Sequence, residues 1–134
     1  MMGTDALTPL LRGIRQTLRD NPALRRQIAD AGAIMQSLCT PGPLARPGIR
    51  VARAQSRAWH SATFDGQEHE LVLEVADRDA RHSLCAPIIA ALNDADIAIP
   101  GHALIDLLWQ RTEADHADPA PVCRLWFKAR TVSD

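Results

Sequence analysis

The chain has 134 residues, 46% apolar and 23% charged, the composition of one ordinary globular domain spanning 1–134, which excludes a largely disordered, collagen-like or coiled-coil protein. Only 4% is aromatic and Tyr is absent, so the packing rests on Leu, Ile, Val and three Trp. A net charge of −1 removes the general electrostatic drive toward nucleic acid or an anionic membrane.

Leu7, Leu10, Leu11, Ile14 and Leu18 recur at spacings of three and four, which predicts a helix with an apolar stripe opposite Arg12, Arg15 and Arg19. Its start is left open between Thr4, Asp5 and Thr8-Pro9 as caps. Asn21-Pro22 ends that helix and starts a second, which runs to Gly32. Ala33 to Leu38 reads as a short strand, and the Pro- and Gly-rich stretch from Thr40 to Gly48 as a surface loop.

Ile49 to Trp59 and Glu68 to Ala76 are the next strands, the second with Leu71, Leu73 and Val75 facing inward and its Glu residues outward. Asp65-Gly66 between them predicts a hairpin with a longish loop. Asp77-Arg78-Asp79 opens a third helix, buried through Leu84, Ile88, Ala91 and Leu92, in which Pro87 forces a kink or a late start. After Asn93-Asp94 and a Pro100-Gly101 turn, Ala103 to Arg111 and Pro121 to Thr131 are two strands that pair, with Thr112 to Ala120 as a loop. Consecutive strands on short connections predict an α+β fold, an antiparallel sheet of four to five strands with helices packed on one face.

Residues 1–60 carry +6 and residues 61–134 carry −7. Two surfaces of opposite sign would suit side-by-side association of copies, whereas spatial interleaving of the halves would mix the charges. Cys39, Cys85 and Cys123 form no CxxC pair and read as small buried hydrophobes. No leader pattern and no run near the ~20 apolar residues of a membrane span is visible, so a soluble cytosolic product is expected.

The chemistry is sparse. His60, His69, His82, His102 and His116 stand at no metal-ligand spacing, and in Glu68-His69-Glu70 the imidazole faces away from both carboxylates. No nucleophile, Walker or dinucleotide motif occurs, so no catalytic, cofactor or metal residues are expected. Arg50 and Arg53 fall on opposite faces of a regular strand while Arg53 and Arg57 share one, a narrow patch for a small nucleic-acid-binding domain.

Trp59-His60-Ser61, Gly66 to Val75, Asp77 to Leu92, Gly101-His102 with its strand, and Cys123 to Thr131 resemble, in order and spacing, the small tail-completion or tail-terminator-like proteins of tailed phages and gene transfer agents. The likeness runs from Leu7 to Thr131. It implies a non-enzymatic α+β subunit, without cofactor, that closes into a ring, six-fold in the family, at the capsid-proximal end of the tail tube. The partners it implies are further copies of the chain, the tail-tube protein and a head-completion or adaptor protein, with no membrane and no sequence-specific nucleic acid. The implied location is the cytoplasm during assembly and then the particle tail. Arg57, Trp59, Phe64, Glu68, Glu70 and Glu74 are expected at contacts with sister subunits or the tube. The competing assignments are a head-to-tail adaptor or neck protein and the nucleic-acid-binding domain.

Overall fold

A computed structural model describes residues 5–29, 33–34, 44, 46–61, 63–77, 83–115 and 122–133. The stripe of Leu and Ile forms α1 (Leu7–Arg19), which buries Leu10, Ile14 and Leu18. Of the candidate caps it is Asp5 that acts: its carboxylate accepts the Leu7 N–H at 2.9 Å and the Thr8 hydroxyl at 2.7 Å. Pro9 lies in the first turn, where no N–H is needed. Asn21 caps α2 (Pro22–Gln27) by accepting the Leu24 N–H at 3.2 Å. This helix stops short of the expected Gly32, because Ile28 turns extended and drops into the core.

Four strands form one antiparallel sheet: β1 (Gly48–Ser61), β2 (Phe64–Ala76), β3 (His102–Asp115) and β4 (Val122–Ser133), in the order β1-β2-β4-β3. The expected strand at Ala33 to Leu38 is not a fifth member where it is described: Ala33 and Ile34 are buried without strand pairing, and 35–38 lie outside the described residues. Much of the 40–48 loop lies outside them as well. Between β2 and β3 comes α3 (Cys85–Leu92). Its start is late, as Pro87 demands, and the Asp77 carboxylate accepts the Leu84 N–H at 3.0 Å just ahead of it.

All three helices lie on one face of the sheet. Leu10, Ile14, Leu18, Leu24, Ile88 and Leu92 meet Ile49, Val51, Leu71, Leu73, Val75, Leu107, Leu125 and Phe127, which together form the core. Strand alternation sends the intervening side chains to the opposite face, which carries no helix among the described residues. The strands hold 12 to 14 residues, so each spans about 40 Å or more at ~3.3 Å per residue, whereas a 13-residue helix covers about 20 Å. The sheet therefore outreaches its helix layer, and Ser56–Ala58 and Arg111–Ala114 are exposed.

Three expectations about the strands are corrected. Asp65-Gly66 is not the hairpin turn: Ser61 pairs with Phe64, and Asp65-Gly66 belongs to β2. A bulge between Val51 and Arg53 shifts the register of β1, which brings Arg50, Arg53 and Arg57 onto one face instead of dividing them. The bulges at Leu104/Asp106 and Trp109/Arg111 in β3 let Leu104 and Leu107, three residues apart, both sit opposite buried residues of β4. This strand also continues to Asp115, through the first part of the expected loop.

Candidate functional site

The helix-free face of the sheet gathers all six residues that the sequence singles out, Arg57 and Trp59 from β1 and Phe64, Glu68, Glu70 and Glu74 from β2. They do not form a bare acidic surface. The register sets each strand's column beside one of opposite sign: Arg50, Arg53 and Arg57 on β1, Glu68, Glu70 and Glu74 on β2, Arg124, Lys128 and Arg130 on β4, and Asp106 and Glu113 on β3. Arg50 donates to Glu74 at 2.8 Å and Arg124 reaches the other oxygen of that carboxylate at 3.3 Å. Arg57 Nε donates to Glu68 at 2.8 Å, Arg53 approaches Glu70 at 3.5 Å, and Arg130 Nε donates to Asp106 at 3.0 Å.

On this face of the sheet the two halves of opposite charge interleave and do not form separate surfaces. The basic strand β1 lies beside the acidic strand β2, so opposite charges compensate one another inside the subunit. The same pairing weakens the nucleic-acid reading, since a guanidinium already bonded to a carboxylate has less to offer a phosphate. Arg124, Lys128 and Arg130 lie an even number of residues apart on β4 and so share one face of that strand, which the sequence alone spells out. The alternation carried no signal that β4 inserts between β2 and β3, which gives that face its acidic neighbours.

Aromatic rings fill the gaps in this ionic lattice. Trp59 and Phe64 pack with centroids 5.1 Å apart, and the Arg130 guanidinium lies 4.9 Å from the Trp59 ring centroid. Gly66 makes room for that indole: a Cβ there would collide with the Trp59 carbonyl oxygen and stand 2.8 Å from the Trp59 ring. Nearer the other end, Arg111 stacks 4.1 Å over Trp126. A shallow concavity of about 420 Å³ adjoins that pair, lined by Glu70, Gln110, Arg111, Trp126 and Lys128 among others.

Glu74 and Glu70 differ in what they can test. Glu74 is 13% exposed and held by two arginines, whereas Glu70 is 42% exposed. Glu74→Lys is expected to cost on the order of 2 kcal/mol, because it leaves three cations together where charge-assisted hydrogen bonds stood. Urea denaturation checks this, with Glu70→Lys expected to change stability by less than about 1 kcal/mol.

On the helix side, His69 is fully buried, and its ring nitrogens meet the Ser56 hydroxyl at 2.6 Å and the Thr131 hydroxyl at 2.9 Å. It thus ties β1, β2 and β4 together and points away from Glu68 and Glu70, as the alternation predicts. Burial pushes its pKa below the ordinary 6.5, against the pull of Asp5 and with the help of His102. The unfolded chain therefore binds the proton more readily, so the His69 contribution to stability is intact above pH 6.5 and declines as pH falls below it. Asp5 is lowered from 3.8 and matters only in more acid solution. The melting temperature is expected to fall between pH 7 and pH 5.5, with a smaller fall in His69→Gln.

Among the described residues no group of three or more His, Cys, Asp or Glu could hold a metal ion. Cys85 and Cys123 are buried free thiols, and burial, reinforced by Cys123, pushes the Cys85 pKa up and away from thiolate chemistry. Cys39 lies outside the described residues. No described helix is long and apolar enough to cross a membrane.

Comparison with known proteins adds two findings. The family described as tail completion protein gp17 matches residues 12–132. Among solved structures, a chain described as part of the virion of a native gene transfer agent particle is similar in fold, with a TM-score of 0.78 and 22% identity, over 98% of this chain and 100% of that one. No curated protein matches.

Proposed function

The chain belongs to the tail completion protein gp17 family, a family of virion tail structural proteins, and on that footing we propose that it forms a closed ring at the capsid-proximal end of a tail tube, stopping tube growth and joining tail to head. The family match over nearly the whole chain carries this reading. The geometry is in keeping with it: a four-stranded sheet whose helix-free face is rich in Arg, Trp and paired carboxylates presents binding groups. In this reading Arg57, Trp59, Phe64, Glu68, Glu70 and Glu74 belong to the surface that meets sister subunits or the tube. The partners are then the chain itself, the tail-tube protein and a head-completion or adaptor protein, met during assembly in the cytoplasm and retained in the particle.

Electron microscopy of particles made without this chain tests the proposal. Tails of unregulated length that carry no heads are the expected result. Tails of normal length lying unattached would instead make it a neck adaptor, and normal particles would overturn both assignments. Glu70→Lys refines the test, since it is expected to lower the yield of joined particles while the isolated protein keeps its stability. An unchanged yield would remove Glu70 from the contact surface.

A further inference from the structure

We infer that one copy of this chain sets the β3 edge of its sheet against the β1 edge of the next copy, through side chains, so that the alternation of charged columns continues from subunit to subunit. The inference rests on the ring reading and names the surfaces that make the ring. Its origin is an arithmetic property of the sheet. Alternating columns on an even number of strands leave opposite signs at the two edges: β1 ends the sheet with Arg50, Arg53 and Arg57, and β3 ends it with Asp106 and Glu113.

The connection leading into β3 adds to that acidic edge. Asn93 and Asp94 lie along it, where the Asp94 N–H donates to the Leu107 carbonyl at 2.7 Å and the Asn93 side chain accepts the Trp109 N–H at 2.9 Å. Asp94 and Asp96 are exposed beside them. Those two hydrogen bonds occupy outward backbone groups in the middle of the edge, so a neighbouring strand cannot extend the ladder there. At that level the contact is made by side chains, and the side chains suit it. Ile105, Leu108 and Trp109 are 50%, 38% and 39% exposed along this edge, Leu108 on the helix-free face opposite Lys128 and Trp109 on the helix side opposite Phe127, apolar area of the kind that interfaces bury beside a charged rim.

The levels agree as well as the signs. Arg57 lies level with Glu68, Arg130 and Asp106, and Arg50 with Glu74, Arg124 and Glu113. A copy placed edge to edge at the same height therefore sets Asp106 beside the next Arg57 and Glu113 beside the next Arg50, extending the pairs that these groups already make within each subunit into shared networks rather than forming new isolated pairs. Leu108 then faces the level of Gln55. Arg111 reaches the height of Arg53, but its guanidinium is stacked on Trp126 and lies 3.5 Å from Glu113. Because β1 and β3 are antiparallel in a four-stranded antiparallel sheet, every junction is alike and uses two different edges, the head-to-tail contact that closes a ring under rotation.

The test compares the full-length protein with an Ile105→Arg/Asp96→Lys variant by sedimentation, at low and high salt, alone and with tail tubes. Wild type should assemble, more weakly at high salt, and the variant should associate at least tenfold less while keeping its melting temperature. In a second variant, Gln55→Cys/Leu108→Cys, a short bis-maleimide should give a ladder of cross-linked multimers that neither single cysteine gives. Rings that tolerate Ile105→Arg/Asp96→Lys and yield no ladder would overturn the edge assignment and leave the ring reading standing. Wild-type protein that stays monomeric even on tail tubes would overturn the ring reading, and this inference with it.

Discussion

Phe127→Ala is expected to destabilise the isolated protein by about 3–5 kcal/mol, the cost of emptying an aromatic site in a packed core. Phe127 is 1% exposed, the largest fully buried side chain, and sits on β4 between β2 and β3, opposite Leu71 on one side and Trp109 on the other. Low aromatic content concentrates the effect, since no other Phe or Trp is fully buried among the described residues. Chemical denaturation should show the lower midpoint. A loss under about 1.5 kcal/mol would mean that the helix layer collapses into the cavity and packs less tightly than the buried contacts imply.

Gly66→Val is expected to cost about 2–3 kcal/mol, the upper range for forcing atoms into an occupied space. Strand propensity argues the reverse sign, because Val is favoured and Gly disfavoured inside a strand. The two arguments are separated by what lies above the residue. A Cβ at Gly66 would meet backbone oxygen of both neighbouring strands, with the Thr131 carbonyl at 3.0 Å, as well as the Trp59 ring. A flexible side chain can yield to such an intrusion, and a paired carbonyl cannot. The displaced Trp59 would also lose its place beside Arg130, so assembly should suffer more than stability alone explains. Melting temperature and particle yield measured together check both effects, and a stabilised Gly66→Val protein would show that the hairpin backbone gives way.

The sequence by itself determined most of the elements and their inward faces. Spacings of three and four in Leu7 to Leu18 and of two in Leu71 to Val75 are written in single segments, and such patterns made three helices, a sheet of four to five strands, the α+β class and the likeness to tail-completion proteins legible, although the segment at Ala33 read as a strand is unpaired where it is described. Caps such as Asn21 were legible for the same reason: the group that caps and the group capped are three residues apart. What only the tertiary structure decided depends on contacts between distant segments. The bulge at Val51/Arg53 unites three arginines on one face, β4 enters between β2 and β3, and Glu74 acquires arginines 24 residues before it and 50 after it. Asp65-Gly66 has the letters of a turn, yet the indole of Trp59 needs that glycine within the strand. Charge content per half of the chain was likewise readable, but its arrangement was not, because strand order places the basic β1 against the acidic β2 and leaves opposite signs only at the two edges of the sheet.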